Sequence, residues 1–131
     1  MANPNILSAN NIYGVTDYLT PSSTSTVVLL ANAASSSKVY KIESIIAVNS
    51  STGSAANANV AIYTNGSVAY GSAPAGGTSY PIASSLSVPA TASMVITDKT
   101  TSFYLNENTS VTIASSVANT LTFVISYEDI S

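Results

Sequence analysis

Cysteine, histidine, tryptophan and arginine are all absent from this chain of 131 residues, and each absence excludes a class of chemistry. Without cysteine there are no disulfides, no thiolate metal site and no thiol nucleophile, and the redox compartment leaves no mark. Without histidine the chain lacks the commonest general base, the commonest metal ligand and the serine-protease type of triad. Enzymatic activity is therefore not expected, and neither is a cofactor or a bound metal. Charge is also scarce: 7% of residues carry one, where about 25% is usual for soluble domains. Lys38, Lys41 and Lys99 stand against Asp17, Glu43, Asp98, Glu107, Glu128 and Asp129, a formal net charge of −3. With no basic stripe, neither a nucleic acid nor an anionic membrane surface is expected as a partner. No stretch approaches the roughly 18 apolar residues of a membrane span. The start at Met1, Ala2, Asn3 and Pro4 lacks a basic region followed by an apolar run, so the expectation is a soluble chain made in the cytosol without a signal peptide.

What is present is 46% hydrophobic residue content, set among abundant Ser, Thr, Asn and Ala. Val and Ile recur with a period near two, which argues for strands and against disorder. From Val39 to Val48 the alternation puts Tyr40, Ile42, Ile46 and Val48 on one face and Val39, Lys41, Glu43 and Ala47 on the other, with Ser44 and Ile45 out of phase. Near the C-terminus Leu121, Phe123, Ile125 and Tyr127 alternate with Thr122, Val124, Ser126 and Glu128, the pattern of a central strand. Shorter runs at Thr26 to Ala31, Ala58 to Tyr63, Ile82 to Val88, Ser93 to Thr97, Phe103 to Leu105 and Ser110 to Ala114 complete a set of about eight strands at the spacing of an all-β sandwich or small barrel. Turn chemistry separates them: Asn65-Gly66 reads as a tight turn, Asn106-Glu107-Asn108 as a hairpin turn and Asp98-Lys99-Thr100-Thr101 as a type I turn. The fold expected is a single antiparallel β-sandwich, jelly-roll or Ig-like, over residues 23–131, preceded by an extended N-terminal arm over residues 1–22.

Few residues invite a functional reading. Glu128 and Asp129 are adjacent, and neighbours on a strand point to opposite faces, so they make no acid and base pair. The Gly76-Gly77 stretch lacks the lysine or helix start of a phosphate loop. Tyrosine is conspicuous, with eight copies against two Phe. Tyr70 and Tyr80 flank a stretch holding Pro74, Gly76 and Gly77, the best candidate for a projecting contact loop, since Tyr supplies contact area at low entropic cost. In the arm, Ile6, Leu7, Ile12, Tyr13 and Tyr18 are the candidate contacts. A surface of short uncharged side chains loses little solvation and little rotamer freedom when covered, which favours permanent interfaces and a homo-oligomer.

The runs Lys38 to Ser50 (KVYKIESIIAVNS), Ser87 to Ala90 (SVPA), Phe103 to Ile113 (FYLNENTSVTI) and Ile125 to Ile130 (ISYEDI) carry a resemblance. The chain resembles small virion structural proteins of tailed phages, particularly marine and cyanobacterial ones, over residues 24–131. That resemblance implies a compact β-sandwich that decorates a capsid or sits on a tail or neck, with no catalytic residues. It leads to the expectation of a capsid decoration or cement subunit in the virion, a trimer being one form, whose partners are its own copies and the major capsid protein. The other expectation is a tail, neck or fibre binding module that contacts the host surface through the Tyr70 to Tyr80 loop.

Overall fold

Branched and aromatic residues gather into nine strands across residues 4–131, the part of the chain that the computed structural model describes. They are β1 (Ile12–Leu19), β2 (Val27–Asn32), β3 (Val39–Asn49), β4 (Ala56–Tyr63), β5 (Ser79–Val88), β6 (Ser93–Thr97), β7 (Phe103–Leu105), β8 (Thr109–Ser115) and β9 (Leu121–Ile130). One antiparallel sheet has the order β1-β9-β3-β6, with β7 also on β3, and the other has the order β2-β8-β4-β5. β6 pairs with Ile45 to Val48 of β3 and β7 with Tyr40 to Ile42, so together they act as one strand interrupted by the short helix Lys99–Thr101. Asp98 caps that helix through its side chain. With β6 and β7 counted as one, the chain passes between the sheets in the eight-strand order of a jelly roll.

Period-two patterning explains most of this architecture. Leu121, Phe123 and Ile125 of β9 are fully buried and meet Ile42 and Ile45 of β3, Leu29 of β2 and Val111 and Ile113 of β8 in one core. Each such aliphatic or aromatic side chain contributes about 1.5–3 kcal/mol on burial. β9 is central, paired with β1 on one side and β3 on the other, and its inward residues are the ones the alternation marks. β3 departs from expectation. A bulge leaves Glu43 without a partner between the pairs Ile42 with Tyr127 and Ser44 with Ser126. The phase therefore flips: Tyr40 and Ile42 face the core before the bulge, Ile45 and Ala47 after it, and Ile46 and Val48 turn away.

The arm expected over residues 1–22 is only partly separate from the body, and Met1 to Asn3 lie outside the described residues. Ile12–Leu19 pairs with β9 along its whole length, from Ile12 with Ile130 to Leu19 with Phe123. It is an edge strand of the sandwich. Only the segment before it, with the short helix Ile6–Ser8, stands off the sheet.

The turn expectations also divide. Asn65-Gly66 does not close a hairpin; it opens a loop from Thr64 to Thr78 whose ends meet where Thr64 N–H donates to the Thr78 carbonyl at 3.0 Å. Glycine is required at 66 because a Cβ there would lie 1.9 Å from the Asn32 carbonyl oxygen. Asn106-Glu107-Asn108 joins β7 of one sheet to β8 of the other, so it is a crossing between layers, with Asn108 at a positive φ of 59°.

Two buried asparagines stitch the layers. Asn32, on β2, donates both amide hydrogens, to the Lys38 carbonyl at 2.9 Å and the Leu105 carbonyl at 3.0 Å. Asn49, on β3, donates to the Ser54 and Val88 carbonyls, each at 2.9 Å. Each bond to Leu105 or Val88 crosses from one sheet to the other, and the two lie at opposite ends of β3.

Sheet edges are managed within the chain on three sides. Along β2, Val28 N–H donates to the Ser72 carbonyl at 2.9 Å and Gly71 N–H to the Val28 carbonyl at 2.8 Å, so the loop covers that edge. β5 carries Pro81 and two register breaks, and β6 and β7 are short. β1 is the exception: eight residues without a break in register.

Candidate functional site

Along β1 the side chains of Val15, Asp17 and Leu19 turn inward while Gly14, Thr16 and Tyr18 face solvent. Val15 and Leu19 join the core, which leaves Asp17 as a carboxylate aimed between the two sheets at their β1 and β2 margin. Its Oδ2 accepts the Tyr127 hydroxyl at 3.0 Å. Tyr127 in turn stands against Tyr40, ring centroids 5.0 Å apart and planes tilted by 46°. Two residues further along β9, Asp129 accepts from the Lys38 ammonium at 3.0 Å. At the mouth, the Tyr70 hydroxyl donates to the Tyr18 carbonyl oxygen and links the loop to β1. Asp17, Tyr40, Tyr70 and Tyr127 border an open cleft of about 440 Å³, walled on the β2 side by Leu29, Leu30 and Ala31, with Val68 from the loop beside them.

Electrostatics shift Lys38 and the two phenols of the cluster. Burial first, then the hydrogen bond to Asp17 and its charge, pushes the Tyr127 hydroxyl far above its ordinary value. Burial and the Asp129 charge raise Tyr40, and the hydrogen bond to Asp129 raises Lys38. Both phenols are therefore neutral donors near pH 7. They can hold a polar group, and they cannot serve as bases.

A second concavity, of about 370 Å³, lies on the outer face of the β2-β8-β4-β5 sheet. Its walls are Thr24, Thr26, Asn59, Ser79, Pro81 and Thr112 with neighbouring alanines, so it offers hydroxyls and methyls without charge.

The residues marked in the sequence do not form one site. Tyr70 and Tyr80 flank the loop in sequence but stand on opposite margins of the sheet. The row Gly71, Val28, Thr112, Ala61, Pro81 spans four strand spacings, about 19 Å. Tyr80 and Pro81 lie on β5 itself, Gly77 N–H donates to the Tyr63 hydroxyl at 2.8 Å, and the Asn65 amide donates to the Ala75 carbonyl beside Pro74 and Gly76. The loop thus lies along the body instead of projecting from it. The arm candidates are all exposed, on β1 or in the segment just before it: Ile6 is 42% exposed, Leu7 97%, Ile12 56%, Tyr13 59% and Tyr18 67%. Asp17, Asn32 and Asn49 were not marked as site residues. The one signal for Asp17 was its place between Val15 and Leu19 at period two.

Among the described residues no group of three or more His, Cys, Asp or Glu side chains is placed to hold a metal ion, and no helix is long and apolar enough to cross a membrane. Comparison with protein-family models gives no match, and neither does comparison with curated protein sequences.

Proposed function

We propose that the chain is a structural subunit of a tailed-phage virion, a capsid decoration or cement protein that binds the assembled shell and stabilises it. The observation that carries this reading is the apolar margin formed by Ile6, Leu7, Ile12, Tyr13 and Tyr18. Among the described residues they are five of the ten exposed large hydrophobic side chains, and they collect on and before the one unbroken sheet edge. Exposed apolar groups that cluster mark interaction surfaces, whereas scattered ones do not. An incoming strand could add to β1 through main-chain hydrogen bonds while the apolar side chains fill pockets on the partner. The scarcity of charge supports the same reading, because covering this surface strands few ions. Jelly rolls also serve in viral capsids and in lectins, an analogy of fold that by itself assigns no role. A host-contact module would have to use Tyr70 or Tyr80 alone, since the two do not share a platform.

The test uses particles of the encoding phage from which this protein has been removed. Added purified protein should bind their shells at a fixed copy number and restore resistance to heat and osmotic shock. Leu7→Asp and Ile12→Asp, both at exposed positions, should stay folded within about 0.5 kcal/mol and lose shell binding. Particles that remain fully stable without the protein, together with shells that do not bind it, would remove the cement role.

A further inference from the structure

An inward-pointing carboxylate on an edge strand is costly unless something meets its charge. Among the described residues no lysine does so for Asp17: Lys38 is engaged by Asp129 at 3.0 Å and Lys41 by Glu43 at 3.3 Å. The Asp17 Oδ2 accepts the Tyr127 hydroxyl at 3.0 Å. Asp17 lines the cleft together with Tyr40, Tyr127 and the aliphatic side chains of Leu29 and Leu30. The cleft volume, about 440 Å³, falls in the range of ligand pockets.

We propose that this cleft binds an organic ammonium group, held by the Asp17 carboxylate and the rings of Tyr40 and Tyr127. A carboxylate beside electron-rich ring faces is the chemistry that receives a cation carried on a slim apolar stem. The local balance agrees, because the two carboxylates of Asp17 and Asp129 are offset by Lys38 alone. Guanidinium is a poorer match, since its planar fork needs both carboxylate oxygens and the Tyr127 hydroxyl holds one. A compact ammonium needs only the other. This inference stands apart from the virion reading and does not depend on it.

Tyrosine fluorescence and amide chemical shifts, followed at constant ionic strength, provide the test. Tetramethylammonium and Nα-acetyl-lysine methylamide serve as probes, with tert-butanol and acetate as controls. Saturable binding of at least one ammonium probe is expected, with shifts confined to β1, β2, Tyr40 and Tyr127. The tighter of the two tells whether a quaternary small molecule or a lysine side chain is the better fit. Asp17→Asn keeps an acceptor for the Tyr127 hydroxyl and should weaken binding roughly tenfold, and Tyr40→Leu should weaken it while leaving the charge in place. Equal binding of tert-butanol, or an unchanged affinity in Asp17→Asn, would reduce the cleft to an apolar crevice. Absence of binding, with Asp17→Asn instead increasing self-association, would make Asp17 a charge that repels added strands and overturn the proposal.

Discussion

Tyr127 shows how one side chain ties a site to stability. It closes the core end of β9, carries the Asp17 hydrogen bond and keeps its proton well above the ordinary tyrosine value of 10.0. Tyr40 shifts in the same direction, and Lys38 is raised from 10.5. A group whose folded value is raised retains its proton in the folded state where the unfolded chain gives it up. Its contribution is complete below the unfolded value and is lost as pH climbs past it. Thermal stability should therefore be flat from about pH 8 to 9.5 and fall above pH 10. Tyr127→Phe removes the hydrogen bond and should cost about 1 kcal/mol at pH 7. It should also fall less steeply with alkali, so that the gap to the native protein narrows above pH 10. Melting curves from pH 7 to 11.5 decide this: parallel profiles for the two proteins would show that the Tyr127 proton is not linked to folding.

Strands were legible in the sequence where one rule sufficed, and obscure where a second intervened. β9 was fully readable because Leu121, Phe123, Ile125 and Tyr127 alternate with smaller or polar residues from end to end. β3 was readable as a strand but not as a face, since the bulge at Glu43 is set by pairing with β9 and leaves only the irregular Ser44-Ile45 as its mark. β1 went unread because Gly14 sits on its outer face and Asp17 on its inner one; the strand exists because β9 is there to pair with it. The candidate site was less legible still, because Asp17, Tyr40, Tyr70 and Tyr127 come from three strands and a loop. The two buried asparagines belong to this scale as well, since each joins elements of different sheets. Removing either amide leaves buried carbonyls without donors, so Asn32→Ala and Asn49→Ala should each cost about 3 kcal/mol in urea unfolding. The sites are separated by most of β3, about 30 Å, so the double variant should show the full additive loss within about 0.5 kcal/mol. A double variant little worse than either single one would mean that the two ends of the sandwich unfold as one coupled unit.

At the scale of the whole molecule the first and last strands lie side by side. β1 and β9, the first and last strands, pair from Ile12 with Ile130 onward, and the Asn10 and Asn11 amides extend the ladder to the Ser131 carbonyl at 2.8 and 3.1 Å. A sheet in which the ninth strand lies between the first and the third cannot be completed before that strand is made. Its pairings are long in sequence, which places folding in the slow, millisecond to second range of all-β domains. The two ends should therefore respond differently to truncation. Removing residues 121–131 takes away Phe123, Ile125 and the partner of both β1 and β3, and should leave a chain without cooperative unfolding by circular dichroism. Removing residues 1–9 takes away the exposed Ile6 and Leu7 and, among the described residues, no sheet pairing. That protein should lose less than about 1 kcal/mol in urea and yet bind shells at least tenfold more weakly. Full shell binding after this deletion would move the docking margin off the N-terminal segment and onto β1 alone, where Tyr18→Asp would be the variant that separates adhesion from folding.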